Sequence, residues 1–186
     1  MPRIERLLPG TLDVDQRAVY AAVTEGTRAQ GAQHFPLINE DGSLVGPFNA
    51  FLLSPHIGFA LQQLGAAIRF ESHLTPRERE LAILLVAHER SSAFEWYAHE
   101  RVGRAVGVTQ SELDSIRSTG VVEPNDPRER AVCGAVSAIL NFGDLNDDDY
   151  EELRKILGPE IIFDVVTLVG YYQMLALQLS VFRVEA

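Results

Sequence analysis

Apolar positions recur at helical spacing along most of the chain, and no segment alternates apolar and polar residues between hairpin turns. The pattern predicts an all-α fold. A first helix is expected over residues 13–28, followed by an irregular stretch in which His34-Phe35-Pro36 and Asn39-Glu40-Asp41-Gly42 supply turn formers, ending near Pro47. Ser54-Pro55 reads as an N-cap with proline at the first helical position, and Leu61, Leu64, Ala67 and Ile68 carry that helix to Phe70. Thr75-Pro76-Arg77-Glu78 is a capping box, because the threonine oxygen and the Glu78 carboxylate satisfy opposite orphan amides. It opens a helix over 76–88 that is apolar on every side from Leu81 to Ala87 and therefore central. Ser91 or Ser92 caps a further helix to Val106, ended by Gly107. Thr109 to Glu112 repeats the capping pattern, and Asp126-Pro127-Arg128-Glu129 opens a helix to about Leu140. Asp147, Asp148 and Asp149 mark another helix start, where negative charge suits the helix dipole.

The run 160–182 is apolar nearly all round, but Asp164, Thr167, Gln173 and Gln178 interrupt it, so a buried core or subunit-interface helix is expected rather than a membrane span. The string Pro-Arg-Glu-Arg occurs at 76–79 and again at 127–130; capping chemistry explains it as well as duplication does. No long linker divides the 186 residues, which reads as one domain: an N-terminal helix and irregular extension over 1–46, motif-bearing helices over 47–107, and further helices with an oligomer interface over 108–186.

Composition narrows the partners. Hydrophobic residues are 46% and charged residues 23% of the chain, an ordinary globular balance. A net charge of −10 leaves no basic footprint for nucleic acid or an anionic membrane. The start, residues 1–10, has only the apolar pair Leu7-Leu8, too little for a signal peptide, so a cytoplasmic protein is expected. Cys133 is the only cysteine, so the chain holds no Cys-x-x-Cys pair and no multi-cysteine zinc site.

Candidate chemistry lies on two adjacent helices. Ser92, Glu95, His99, Val102 and Val106 follow at spacings of three or four and share one face. A short turn joins this helix to the preceding one, so the two are expected to pack antiparallel, bringing Glu80 towards His99. A carboxylate beside an imidazole fixes its tautomer and raises its basicity, as general acid–base catalysis requires. Spacing alone leaves two readings open, a structural Glu–His pair and an acid–base site, and favours the first. Trp96 could wall a pocket for a flat organic acid or belong to the core. Neither a metal nor another cofactor is expected.

The stretch Arg77-Glu78-Arg79-Glu80-Leu81, followed by Phe94-Glu95-Trp96-Tyr97-Ala98-His99-Glu100, resembles the carboxymuconolactone decarboxylase family, and the likeness runs from Gly46-Pro47-Phe48-Asn49-Ala50 to Gly107. The resemblance implies an AhpD-like (alkyl hydroperoxidase D-like) helical bundle assembled as a homotrimer or homohexamer through apolar helices. Thiol-using members of that fold show Glu-x11-Cys-x2-Cys-x3-His; here the spacing reads Glu80-x11-Ser92-x2-Glu95-x3-His99. Both sulfurs are replaced, and neither a hydroxyl nor a carboxylate performs thiol–disulfide exchange. The resemblance therefore points to the cysteine-free decarboxylase branch, lyases of aromatic-compound catabolism. It implies His99 as general acid or base, Glu80 orienting it and Glu95 sharing the proton, with Ser92, Trp96 and a cation, Arg90 or Arg69, towards a small carboxylated substrate. Two other classes stay in view: a small-molecule-binding oligomer without turnover, and a thiol peroxidase, which the missing cysteines disfavour.

Overall fold

The computed structural model describes residues 1–30 and 32–184, and among them the regular elements are all helical. Nine α-helices follow in order: α1 (Val14–Thr24), α2 (Pro47–Phe51), α3 (Pro55–Phe70), α4 (Pro76–Glu89), α5 (Ala93–Ala105), α6 (Gln110–Thr119), α7 (Pro127–Phe142), α8 (Asp147–Leu157) and α9 (Pro159–Phe182). One isolated antiparallel bridge, Ile38 with Leu44, closes the turn ahead of α2.

α4 is the axis of the bundle. Every residue from Glu78 to Ala87 is buried, and α5, α6, α7 and α9 all pack on it. A helix apolar on all sides has no face to give to water, so the others must surround it. Its start is fixed as the sequence indicates: Thr75 accepts from the Glu78 amide, and Glu78 accepts from the Thr75 amide at 2.7 Å. The same carboxylate takes Arg128 Nε at 2.7 Å, tying α4 to α7. Thr75→Ala is expected to cost about 1 kcal/mol, the usual worth of a threonine cap, read as a lowered urea midpoint at unchanged slope.

Two boundaries differ from expectation. The first helix ends at Thr24 instead of Arg28, and Thr27–Ala29 forms a separate 3-10 turn. A Cβ at Gly26 would stand 2.4 Å from the Ala22 carbonyl oxygen, so glycine lets the chain fold back across its own last turn. That break turns Arg28 inward, where it is 7% exposed. Second, the residues between the end of the irregular stretch near Pro47 and the Ser54 cap form the short α2; Gly46, at φ +62°, precedes it, and a side chain there would collide with the Phe94 ring.

α9 is long and apolar enough to cross a membrane by length and composition, with 44% of its most apolar window buried. Its inner face (Val165, Leu168, Val169, Tyr172, Leu175) packs on the core, while Phe163, Val166 and Leu177 are exposed. Asp164, one of its polar interruptions, accepts from the His73 backbone amide at 2.7 Å.

Candidate functional site

Antiparallel packing of α4 and α5 brings the first turn of one beside the middle of the other, and there Glu80 Oε2 meets His99 Nδ1 at 2.6 Å. On the other side of the ring, Nε2 stands 3.4 Å from Glu95 Oε2. All three side chains are at least nine-tenths buried. The Tyr172 ring packs T-shaped on the imidazole, with centroids 5.2 Å apart and planes at 90°. Glu80 is shared: its second oxygen takes Arg79 Nε at 3.3 Å, and Arg79 in turn donates to the Arg69 carbonyl at 2.7 Å. Glu95 Oε1 is buried with no hydrogen-bond partner among the described residues. An unsatisfied buried carboxyl oxygen is costly, and such atoms in native folds mark strain or function.

These contacts set the charges. Burial works against a charged imidazole, yet the charge and hydrogen bond of Glu80, and then Glu95, outweigh it and push His99 up to about 9. Burial likewise opposes ionisation of Glu80, but the His99 charge, then Arg79 and Arg69, hold its carboxyl below the ordinary range. At neutral pH the pair is therefore carboxylate and imidazolium. Burial and the two carboxyl groups raise the Tyr172 phenol well above its usual value. His99 is thus poised as an acid whose outer proton points at Glu95.

A cavity of about 20 Å³ lies against this ring, room for one water-sized molecule. His99, Glu95, Phe94 and Ala98 from α5, Arg69 from α3, Phe48 from α2, Tyr171, Tyr172 and Leu175 from α9, and Arg28 and Phe35 from the segment before α2 enclose it. The structure thus brings Glu95 and His99 to one cavity, with Glu80 directly behind the ring. Three residues expected to face the substrate are elsewhere. Arg90, the C-cap of α4, lines a separate open groove with Gln173, Met174 and Leu177 of α9. Trp96 is turned about 100° around α5 from Glu95, where its indole donates to Glu100 at 2.8 Å and lies under the Arg117 guanidinium. Ser92 is the N-cap residue of α5, yet its hydroxyl makes no cap bond; it is buried, without a partner among the described residues, and is not part of the cavity wall.

The sequence pattern does not single out Arg28, Phe48 or the two tyrosines as site residues. The one sequence signal is a pair of polar-tipped aromatics, Tyr171-Tyr172, inside an otherwise apolar helix. Cys133 is 3% exposed on α7, and burial, then neighbouring carboxylates, push its thiol up to about 12.

Residues 55–138 match the family model of the carboxymuconolactone decarboxylase family. Over this segment, 84 of its 186 residues, the chain is similar to that family. The match holds Glu80, Glu95, His99 and Arg69, whereas Arg28 and the tyrosines that complete the cavity lie outside it. No curated protein sequence matches the chain significantly. Among solved structures, an uncharacterized peroxidase-related protein from Silicibacter sp. TM1040 superposes with a TM-score of 0.76 at 16% identity, over 99% of this chain and 91% of that one. A second such protein, from Ralstonia eutropha JMP134 and described as an alkylhydroperoxidase AhpD core, gives 0.77 at 16% identity with the same coverage. A debrominase in complex with 2,3,4-tribromopyrrole gives 0.70 at 12% identity, over 97% and 90%. At these identities the likeness establishes the fold, all-α and AhpD-like, and leaves the activity to the site.

Proposed function

We propose that this protein is a thiol-independent acid–base enzyme of the carboxymuconolactone decarboxylase family, acting on a small organic acid, a lactone or carbonyl acid that it decarboxylates. The observation that carries this reading is the buried Glu80–His99–Glu95 line with one end open to a cavity. A purely structural pair would end at Glu80 and His99; here a third, half-satisfied carboxyl stands at the outer nitrogen. In the proposed step the bond to the departing carboxylate breaks, carbon dioxide leaves, and the electron pair passes into an enolate conjugated with the carbonyl. His99 then delivers its Nε2 proton to carbon, with Glu95 able to share that proton, and water restores it. Glu80 keeps the ring oriented and its positive charge supported throughout. The free volume is smaller than any such acid, so binding requires the cavity walls to part.

Release of carbon dioxide from a panel of lactone acids and β-keto acids by the wild-type chain, measured beside His99→Gln, tests the reading; a panel left untouched by the wild type removes it. Peroxidase chemistry has a separate test. With its one thiol buried and held protonated, the wild-type and Cys133→Ser proteins are expected to show equal, background consumption of an alkyl hydroperoxide in the presence of dithiothreitol. A hydroperoxide rate that disappears in Cys133→Ser would overturn that expectation.

A further inference from the structure

Two guanidinium groups, Arg28 and Arg69, reach the cavity beside His99; the Glu95 carboxyl lines it too but meets His99, and among the described residues neither arginine forms an ion pair. Arg28 is 7% exposed, yet its one side-chain hydrogen bond among the described residues goes from Nε to the neutral Gln62 Oε1 at 3.2 Å. Its charge lies 5.1 Å from the centroid of the Phe48 ring. Gln62 is held in turn by donating to the Ala22 carbonyl at 3.2 Å, and Gly65 on the same helix gives clearance: a Cβ there would come within 3.1 Å of Arg28 Nη2. Arg69 projects from the last turn of α3 into the same cavity, over the Phe70 ring at 5.4 Å, and makes no side-chain hydrogen bond among the described residues. Burial, and then the charge of Arg28, pull Arg69 below its ordinary value, so the two cations sense one another.

A buried guanidinium held by an amide and an aromatic face is fixed in place without being neutralised. Arg28 is held in this way and Arg69 stands half-buried at the same cavity; two cations there favour an anion, and the planar fork of arginine matches a carboxylate. The Glu80 carboxylate is already committed to His99 and Arg79.

We infer that Arg28 and Arg69 form a carboxylate-binding subsite that orients the substrate against His99. The inference rests on the acid–base reading for the purpose of that orientation, but not for the binding itself. A carboxylate clamped by two cations is stabilised as an anion and resists leaving as carbon dioxide, so the subsite holds a group that stays on the substrate. The departing carboxylate then lies in the less cationic part of the cavity, and the carbon it vacates faces His99 and Glu95.

The test uses a small carboxylate that has a neutral isostere, because the cavity is small. Isotope-labelled acetate, and acetamide as its neutral isostere, are titrated against the full chain at constant chloride, and binding is read from line broadening of the small molecule. Acetate is expected to bind in the millimolar range and acetamide not at all. Arg69→Gln is expected to weaken acetate about tenfold, the worth of one charge-assisted pair. Arg28→Gln should do the same, and Arg28→Lys should recover part of the loss. The Arg69 side chain is half-buried and makes no hydrogen bond among the described residues, so its variant keeps the test valid even if Arg28→Gln does not fold. Equal broadening of acetate and acetamide, no acetate binding by the wild type, or unchanged affinity in the arginine variants overturns the subsite. Acetate binding that depends on the arginines, in a protein that turns over no acid in the panel, upholds the subsite and removes the acid–base reading.

Discussion

His99→Gln is expected to lower kcat for decarboxylation by about 10²- to 10⁴-fold, the range that a positioned general acid supplies. The glutamine amide still donates to Glu80, so the buried carboxylate keeps a partner and the helices keep their register. What is lost is a transferable proton beside the cavity. Because the imidazole stays protonated up to about 9, the wild-type kcat is expected to be flat through neutral pH and to fall as the pH rises through that value. The sign follows from the active form being the imidazolium. Protonation of Glu80 at acid pH removes the charge that supports it and gives the opposite limb. In His99→Gln the alkaline limb should vanish together with the rate. A variant that turns over at the wild-type rate, or a wild-type profile that rises through pH 9, would remove His99 from the role of acid.

Much of this arrangement is legible in the sequence, for reasons tied to particular residues. Helix starts are announced by local chemistry: Thr75 with Glu78, Thr109 with Glu112 and Asp126 ahead of Pro127 each satisfy amides within one turn, and such signals need no tertiary context. The Glu80–His99 contact is only one step less local, because a short turn between two helices leaves few ways to pack them. The rest of the cavity has no such warrant. Arg28 reaches it because Gly26 breaks a helix that its neighbours would otherwise extend, and the tyrosines arrive from the far end of the chain. Arg90 shows the converse failure. It adjoins the motif in sequence, but as the C-cap of α4 it sits a helix length from Glu80 and opens on another groove. Ser92 and Trp96 share the helix of His99 without sharing the cavity, since spacing names a face and not what that face meets.

Glu80→Ala is expected to destabilise the fold by about 4 kcal/mol, the usual cost of removing one partner from a buried ion pair. The loss exceeds the deleted contact, because His99 and Arg79 both keep charges that Glu80 had balanced. The variant should shed its imidazole proton at a lower pH than the wild type, since burial is then opposed by Glu95 and not by both carboxyls. This yields a pH signature that packing loss alone would not produce. In the wild type the His99 pKa is raised from about 6.5 unfolded to about 9 folded, so its contribution is fully present below the unfolded value and is lost as the pH climbs through the folded one. Two to three pKa units at about 1.4 kcal/mol each make this roughly 3 kcal/mol. Urea midpoints of the wild type should therefore decline between about pH 6 and about pH 10, while those of Glu80→Ala, lower at the outset, should decline much less. Glu80→Gln separates shape from charge: it fills the same space and can still meet the ring, so it should recover stability at high pH, where the imidazole is neutral, more than at low pH. Parallel curves for all three proteins would mean that Glu80 and His99 are not coupled. His99 would then have no standing imidazolium at neutral pH, and the acid proposed for the reaction would be lost with it.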